Sequence, residues 1–328
     1  MALPKVLLVS LGGTITMTRS QGGGIVPTLT AADLVKAAPG IEAVAAIETF
    51  SPLRKPGPSL VLEDLIEVAR LLRERLAGDL DGAVVIQGTD TIEETAFVLD
   101  CLVDGPEPII VTGAMRGPEA AGADGPANVL AATIVAASGA ARERGVLVVL
   151  NDEIHPALFV QKSHTTLPSA FRSPLCGSVG LVIEGEARFH ARTARCPRVP
   201  GPVSDEDAPV ALVKIGLGDD GRLLRALPQL GYRGAVIEGM GVGHVPASLA
   251  PLLSELAAAM PVVLASRVET GPILRRTYGF PGSETDLLAR GLVSAGSLSG
   301  LKARLLLQLL IRSGRQLQGI AEAFRAGA

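Results

Sequence analysis

The chain is poor in aromatic residues: it has no tryptophan, two tyrosines and seven phenylalanines in 328 positions. Its interior must therefore be filled by Ala, Val, Leu and Ile, and no run of Lys or Arg interleaved with aromatic rings offers nucleic acid a stacking surface. Charge of one sign is also lacking, since the net charge is only -3, so nucleic acid is not expected as a partner. Cysteine is scarce: Cys101, Cys176 and Cys196 are an odd, widely spaced set, which excludes a disulfide framework and fits a cytoplasmic protein. Long apolar runs are missing too. Residues 129–141 and 305–311 fall short of the ~20 residues a membrane span needs, and Lys5 is followed at once by Val6-Leu7-Leu8-Val9, a run too short for a signal peptide. No membrane partner is expected. The four histidines, His155, His164, His190 and His244, show no His-x-x-x-His spacing, and Cys-x-x-Cys is absent, so neither a metal nor a cofactor is expected. A Gly-x-x-x-x-Gly-Lys phosphate loop and a Gly-x-Ser-x-Gly elbow are likewise missing.

What is abundant is aliphatic: 48% of residues are hydrophobic, a richness that suits parallel sheets covered by helices. Short runs such as Val6–Leu11, Ala83–Ile86, Ile109–Thr112 and Val146–Leu150 read as strands buried on both faces. Between them, apolar residues recur at helical spacing over 62–76, 92–102 and 125–141. Such alternation predicts an α/β fold with a doubly wound, mainly parallel sheet. From Gly177 to His190 the period changes to two around Glu184-Gly185, which predicts a β-hairpin. A proline-rich polar stretch then divides the chain. The expected organisation is a larger N-terminal α/β domain over 1–192, a linker over 193–209 and a smaller C-terminal α/β domain over 210–328.

The strand ends carry the polar chemistry. Thr14 follows the first strand, Thr89 and Asp90 follow the strand at 83–86, and Lys162 comes after the strand at 146–150. In an open α/β sheet, ligands settle outside these carboxyl ends. Asp90 and Glu93 have capping-pair spacing, so a helix N-terminus with outward N–H groups is expected there, suited to an oxyanion. A threonine hydroxyl is a weak nucleophile until a neighbour takes its proton. A lysine, with an unperturbed pKa of ~10.4, could do so when partly desolvated, with a carboxylate to orient it. Residues 17–28 are polar and glycine-rich, the composition of a loop that could serve as a lid.

Leu11-Gly12-Gly13-Thr14-Ile15 and Gln87-Gly88-Thr89-Asp90-Thr91-Ile92-Glu93-Glu94-Thr95 are followed in order by Gly113-Ala114-Met115-Arg116, Ala123–Pro126, Asn151-Asp152 running to Lys162, Ser266-Arg267 and Lys302-Ala303-Arg304. Over almost its whole length the chain thereby resembles the bacterial-type L-asparaginases, threonine amidohydrolases that cleave the side-chain amide of asparagine and sometimes glutamine. The resemblance implies that Thr14 attacks the amide carbon to form an acyl-enzyme, while Thr89, Asp90 and Lys162 handle protons or activate water. It also implies that Gly88 and Ser59 line the substrate, that N–H groups of Thr89 and Ala114 cradle the oxyanion, and that Asp90 binds the substrate's ammonium group. Glu284 would reach that group from a neighbouring subunit of a dimer or tetramer.

Departures from the family pattern bear on the substrate. The region where a lid tyrosine is usual reads Gly24-Ile25-Val26-Pro27, and the only tyrosines are Tyr232 and Tyr278. Gly57-Pro58-Ser59 stands where a Ser-Gln or Ser-Ser pair grips the α-carboxylate, and Gln87 stands where His is common. The same chemistry on another small amide or a lactam is therefore an alternative. A second alternative is a non-catalytic binding protein using Gly239-Met240-Gly241-Val242-Gly243, which follows a strand but lacks the spacing of a dinucleotide loop.

Overall fold

The computed structural model describes residues 2–19, 25–27 and 29–326, apart from the side chains of residues 14, 17–19, 25–27 and 326. The chain divides into two compact units, Met1–Cys196 and Pro197–Ala328. The stretch 193–209, expected as a linker, straddles that division.

The first unit holds twelve described strands: β1 (Lys5–Ser10), β2 (Met17–Arg19), β3 (Ile25–Pro27), β4 (Ala46–Phe50), β5 (Gly82–Ile86), β6 (Ile109–Thr112), β7 (Val146–Leu150), β8 (Glu153–Pro156), β9 (Gln161–Lys162), β10 (Phe171–Arg172), β11 (Gly180–Ile183) and β12 (Glu186–Phe189). Eight of them form one sheet in the order β12-β11-β8-β7-β6-β5-β1-β4. Strands β4, β1, β5, β6 and β7 run parallel, whereas β8, β11 and β12 are antiparallel additions. The parallel run stops because the chain reverses at once after β7. Asn151 and Asp152 both take left-handed backbone, φ 53° and 59°, which short polar side chains tolerate better than most. The hairpin expected around Glu184-Gly185 is β11–β12, with Gly185 at φ 76°.

Helices α1 (Ala31–Lys36), α2 (Ile41–Val44), α3 (Leu62–Leu76), α4 (Ile92–Leu102) and α5 (Gly125–Ala136) connect the strands. Alternate strand residues serve opposite layers. Val6, Leu8, Val84, Ile86 and Ile110 share a buried cluster with Leu34, Ile41 and Val129, while their neighbours Leu7, Val9, Val85 and Val111 are equally buried. Strands covered on both sides need aliphatic residues at every position, so a continuous apolar run marks them. Each such side chain contributes about 1.5–3 kcal/mol relative to exposure.

Strand order locates the crevice. The crossover from β1 leads to β4 on one side, and the next returns through α3 to β5 on the other. The carboxyl ends of β1 and β5 are therefore the switch point, where α/β sheets bind ligands. Segments β2 and β3 pair antiparallel; residues 20–24 and 28 of the stretch expected to form a lid lie outside the described residues.

The second unit is a parallel sheet, β13 (Val210–Lys214), β14 (Gly234–Gly239), β15 (Val262–Ser266) and β16 (Val293–Ser294) in that order. It is covered by α6 (Arg222–Ala226), α7 (Ala250–Ala259), α8 (Glu284–Ala289), α9 (Gly300–Arg312) and α10 (Leu317–Ala326). The Gly239–Gly243 stretch is a backbone turn. Met240 and His244 bridge across it, and Gly241 and Gly243 have φ of 53° and 113°, which gives these glycines a steric reason to be there. Among the described residues, no helix is long and apolar enough to cross a membrane.

Candidate active site

Backbone, not side chains, brings the strand ends together. Leu11 N–H donates to Ile86 O at 2.8 Å and Lys55 N–H to Leu11 O at 3.0 Å, so the turns after β1, β4 and β5 are tied in a row. Gly13 has φ +88°, and a Cβ there would lie 2.0 Å from Gly88 N. A Cβ on Gly88 would stand 3.0 Å from Gly57 N, and one on Gly113 would meet Gln87 O at 2.5 Å. These glycines allow four turns to nest at the switch point.

Onto this floor Thr89 and Asp90 are delivered by a single turn of 3-10 helix, Thr89–Thr91, that precedes α4. The expected Asp90–Glu93 capping pair does not form. The residue at the N-cap of α4 is Thr91, and its side chain makes no cap. Both carboxylates face Lys162 instead: Lys162 Nζ donates to Thr89 Oγ1 at 3.0 Å and to Asp90 Oδ1 at 2.6 Å, while its backbone N–H donates to Glu93 Oε1 at 3.2 Å. Lys162 lies on β9, paired with Phe171 on β10, and its side chain is only 15% exposed against 59% for Asp90. The lysine stem is thus mostly covered, with one hydroxyl and one carboxylate in reach of its ammonium. Such a group can relay protons to and from the hydroxyl.

Of the remaining expected residues, Gly88 is buried between Gly13 and Gly57. Ser59 is exposed at the end of the 3-10 turn Gly57–Ser59. Gln87 Nε2 donates to Thr91 Oγ1 at 3.1 Å, and Thr91 Oγ1 donates to Gly57 O at 3.3 Å, which ties that turn to the β5 end. Ala114 is buried in the turn after β6. Thr14 begins the 3-10 turn Thr14–Thr16; its side chain lies outside the described residues.

Glu284 stands in the second unit, fully buried. Its Oε1 accepts N–H bonds from Thr277 at 3.1 Å and Tyr278 at 2.9 Å, and its Oε2 lies 3.2 Å from His244 Nε2. Burial alone would push its pKa up, but the N–H groups of Tyr278, Glu284 and Thr277 together with His244 outweigh that and hold it below the usual carboxylate range. Among the described residues, no group of three or more His, Cys, Asp or Glu is placed to hold a metal.

Of the two residues that brace these turns, sequence reasoning met Asp124 only as part of the Ala123–Pro126 motif and passed over Asn128. Asp124 accepts N–H bonds from Met115 and Arg116 at 3.0 and 2.9 Å, and Asn128, one helical turn on, reaches back to the same loop. Their spacing of four in Asp124-Gly125-Pro126-Ala127-Asn128 was the available signal. His155 was also passed over. It is 2% exposed, and its Nδ1 lies 3.0 Å from Ser173 Oγ, just beyond β10. Burial lowers the His155 pKa, although the Glu153 carboxylate opposes the shift. The native chain therefore keeps this ring neutral where an unfolded chain, titrating near ~6.5, takes up a proton, so stability falls as pH drops below about 6.5. Melting curves between pH 7.5 and 5.5 are expected to show a smaller loss of Tm in His155→Gln than in wild type. Equal slopes would contradict this assignment.

The description "Asparaginase, N-terminal" matches residues 5–195, and "Glutaminase/Asparaginase C-terminal domain" matches residues 209–324. A probable L-asparaginase of Deinococcus radiodurans is 36% identical, the alignment covering 99% of this chain and 98% of that one. L-asparaginase 2 of Escherichia coli is 31% identical, with 99% and 93% covered. The crystal structure of a probable cytoplasmic L-asparaginase from Campylobacter jejuni superposes with a TM-score of 0.87 at 29% identity, covering 98% of this chain and 99% of that one. With both of its units matched, and with Thr89, Asp90 and Lys162 in contact at the sheet's switch point, the chain belongs to the asparaginase family.

Proposed function

We propose that the protein is an amidohydrolase that converts the side-chain amide of L-asparagine, and more slowly L-glutamine, to the acid and ammonia. The observation that carries this reading is the contact of Lys162 Nζ with both Thr89 Oγ1 and Asp90 Oδ1. In the first half-reaction the Thr14 hydroxyl attacks the amide carbon. Its proton passes to the amide nitrogen, the C–N bond breaks and ammonia leaves an ester on Thr14. In the second, water attacks that ester; Lys162 and Thr89 relay its proton to the departing Thr14 oxygen, and the acid is released. N–H groups of Thr89 and Ala114 stabilise the oxyanion in both steps.

Asp90 and Ser59 orient the amino acid by its ammonium and carboxylate groups. The protein works as a dimer or tetramer in which Glu284 is supplied across subunits. A substrate ammonium would there take the place of His244 beside Oε2. A cytoplasmic setting belongs to the same reading and is supported by the likeness to the probable cytoplasmic L-asparaginase of Campylobacter jejuni.

Ammonia release from L-asparagine is expected to exceed that from L-glutamine and the D-isomers. Silence with every linear amide would sink the reading. The sequence Ile25-Val26-Pro27 in place of a lid tyrosine favours one further possibility, a lactam substrate, which ring-opening assays on small lactams would reveal.

A further inference from the structure

We infer that Asn128 is a positioning residue that aims the Ala114 N–H at the reacting carbonyl; this rests on the amidohydrolase reading above. Asn128 is 2% exposed, on the first turn of α5. Its Nδ2 donates to Gly113 O at 2.9 Å and to Asp124 Oδ2 at 3.1 Å, and its Oδ1 accepts from Asn151 N–H at 3.0 Å. Partners on both ends fix the orientation of the amide, since only the nitrogen can donate to a carbonyl and only the oxygen can accept from an N–H.

The carbonyl it holds and the N–H of Ala114 belong to one peptide unit. In a planar trans peptide these two groups point in opposite directions. Drawing the Gly113 carbonyl toward α5 therefore turns the Ala114 N–H away from α5. The same peptide stands beside the catalytic turn: a Cβ on Gly113 would lie 2.5 Å from Gln87 O and 3.4 Å from Thr89 Cγ2. Asp124 anchors the following two peptides by accepting the N–H groups of Met115 and Arg116, so the bond from Asn128 is what sets the orientation of the Gly113–Ala114 peptide between that anchor and β6. Asn128 touches no reacting atom and works through the dipole that it orients.

Asn128→Asp separates this role from a general structural one. It exchanges the donor for an oxygen and keeps the acceptor for Asn151. Loss of an oxyanion donor costs ~10²–10³ in kcat, and misaiming one is expected to cost ~30-fold or more with KM within about threefold. As pH is lowered the new carboxyl, facing Asp124, gains a proton that it can donate to the Gly113 carbonyl, so the deficit relative to wild type is expected to narrow. A loss carried by KM alone, or a kcat deficit that stays constant with pH, overturns the inference. Should the Asp variant not fold, Asn128→Ala carries the same kcat test: a ~30-fold loss with KM kept supports the role, and a kept kcat ends it. A wild type that releases no ammonia from any amide fails the functional reading first. An active wild type whose variants keep its kcat fails the positioning role alone.

Discussion

Lys162→Met is expected to lower kcat for ammonia release by about 10³-fold or more, equivalent to about 4 kcal/mol of transition-state stabilisation, with the melting temperature little changed. Methionine keeps the unbranched apolar stem of the lysine but offers neither Thr89 Oγ1 nor Asp90 Oδ1 a proton. The fold should tolerate the change, because β9 is held by its pairing with β10 and by the bond from Lys162 N–H to Glu93, neither of which involves the ammonium. Steady-state kinetics with a thermal melt on the same sample decide the matter. A kcat within tenfold of wild type would remove Lys162 from proton transfer.

The second large effect concerns the two threonines. Thr14→Ala and Thr89→Val are each expected to reduce turnover by about 10³-fold or more, and the double variant by little beyond the worse single, since groups that act as a unit are not additive. What separates them is the covalent intermediate. If Thr14 is the nucleophile, Thr14→Ala accumulates no acyl-enzyme. Thr89→Val retains the attacking hydroxyl but loses the one bonded to Lys162 at 3.0 Å. It should therefore stall after acylation and show the added acyl mass when the intact protein is weighed soon after mixing with substrate. An acyl adduct in Thr14→Ala and none in Thr89→Val would exchange the two roles.

Much of the fold was legible because the parallel strands are buried on both faces. Ile109–Thr112 and Val146–Leu150 announce themselves as unbroken aliphatic runs, and the spacing over 62–76 marks the whole of α3. The strands β8, β9, β10 and β16, of two to four residues, were missed, because they have neither the unbroken apolar run of β6 nor the period of two that marks the β11–β12 hairpin. Thr89 and Asp90 could be nominated because the ends of parallel strands are where α/β sheets bind ligands, whereas Lys162, on the antiparallel β9, took its role from the family resemblance.

The local reading of Asp90 and Glu93 as a capping pair failed for a physical reason. A carboxylate in a helix's first turn can satisfy its own backbone or a partner 72 residues away, as Asp90 does with Lys162, and spacing along the chain cannot distinguish the two. Asn128 was invisible in the same way. Its three partners lie on Gly113, Asp124 and Asn151, and only Asp124 is close enough in sequence to suggest a pair.

The nested glycine turns also limit how the protein can be redesigned. Where Gly13, Gly57 and Gly88 meet, the surfaces in contact are main chain, so there is no side chain to trim, enlarge or recharge. Directed evolution toward bulkier amides would find no useful variation on that floor. Gains would have to come from the rim, at the exposed Ser59, where a change of residue leaves the meeting of strands undisturbed.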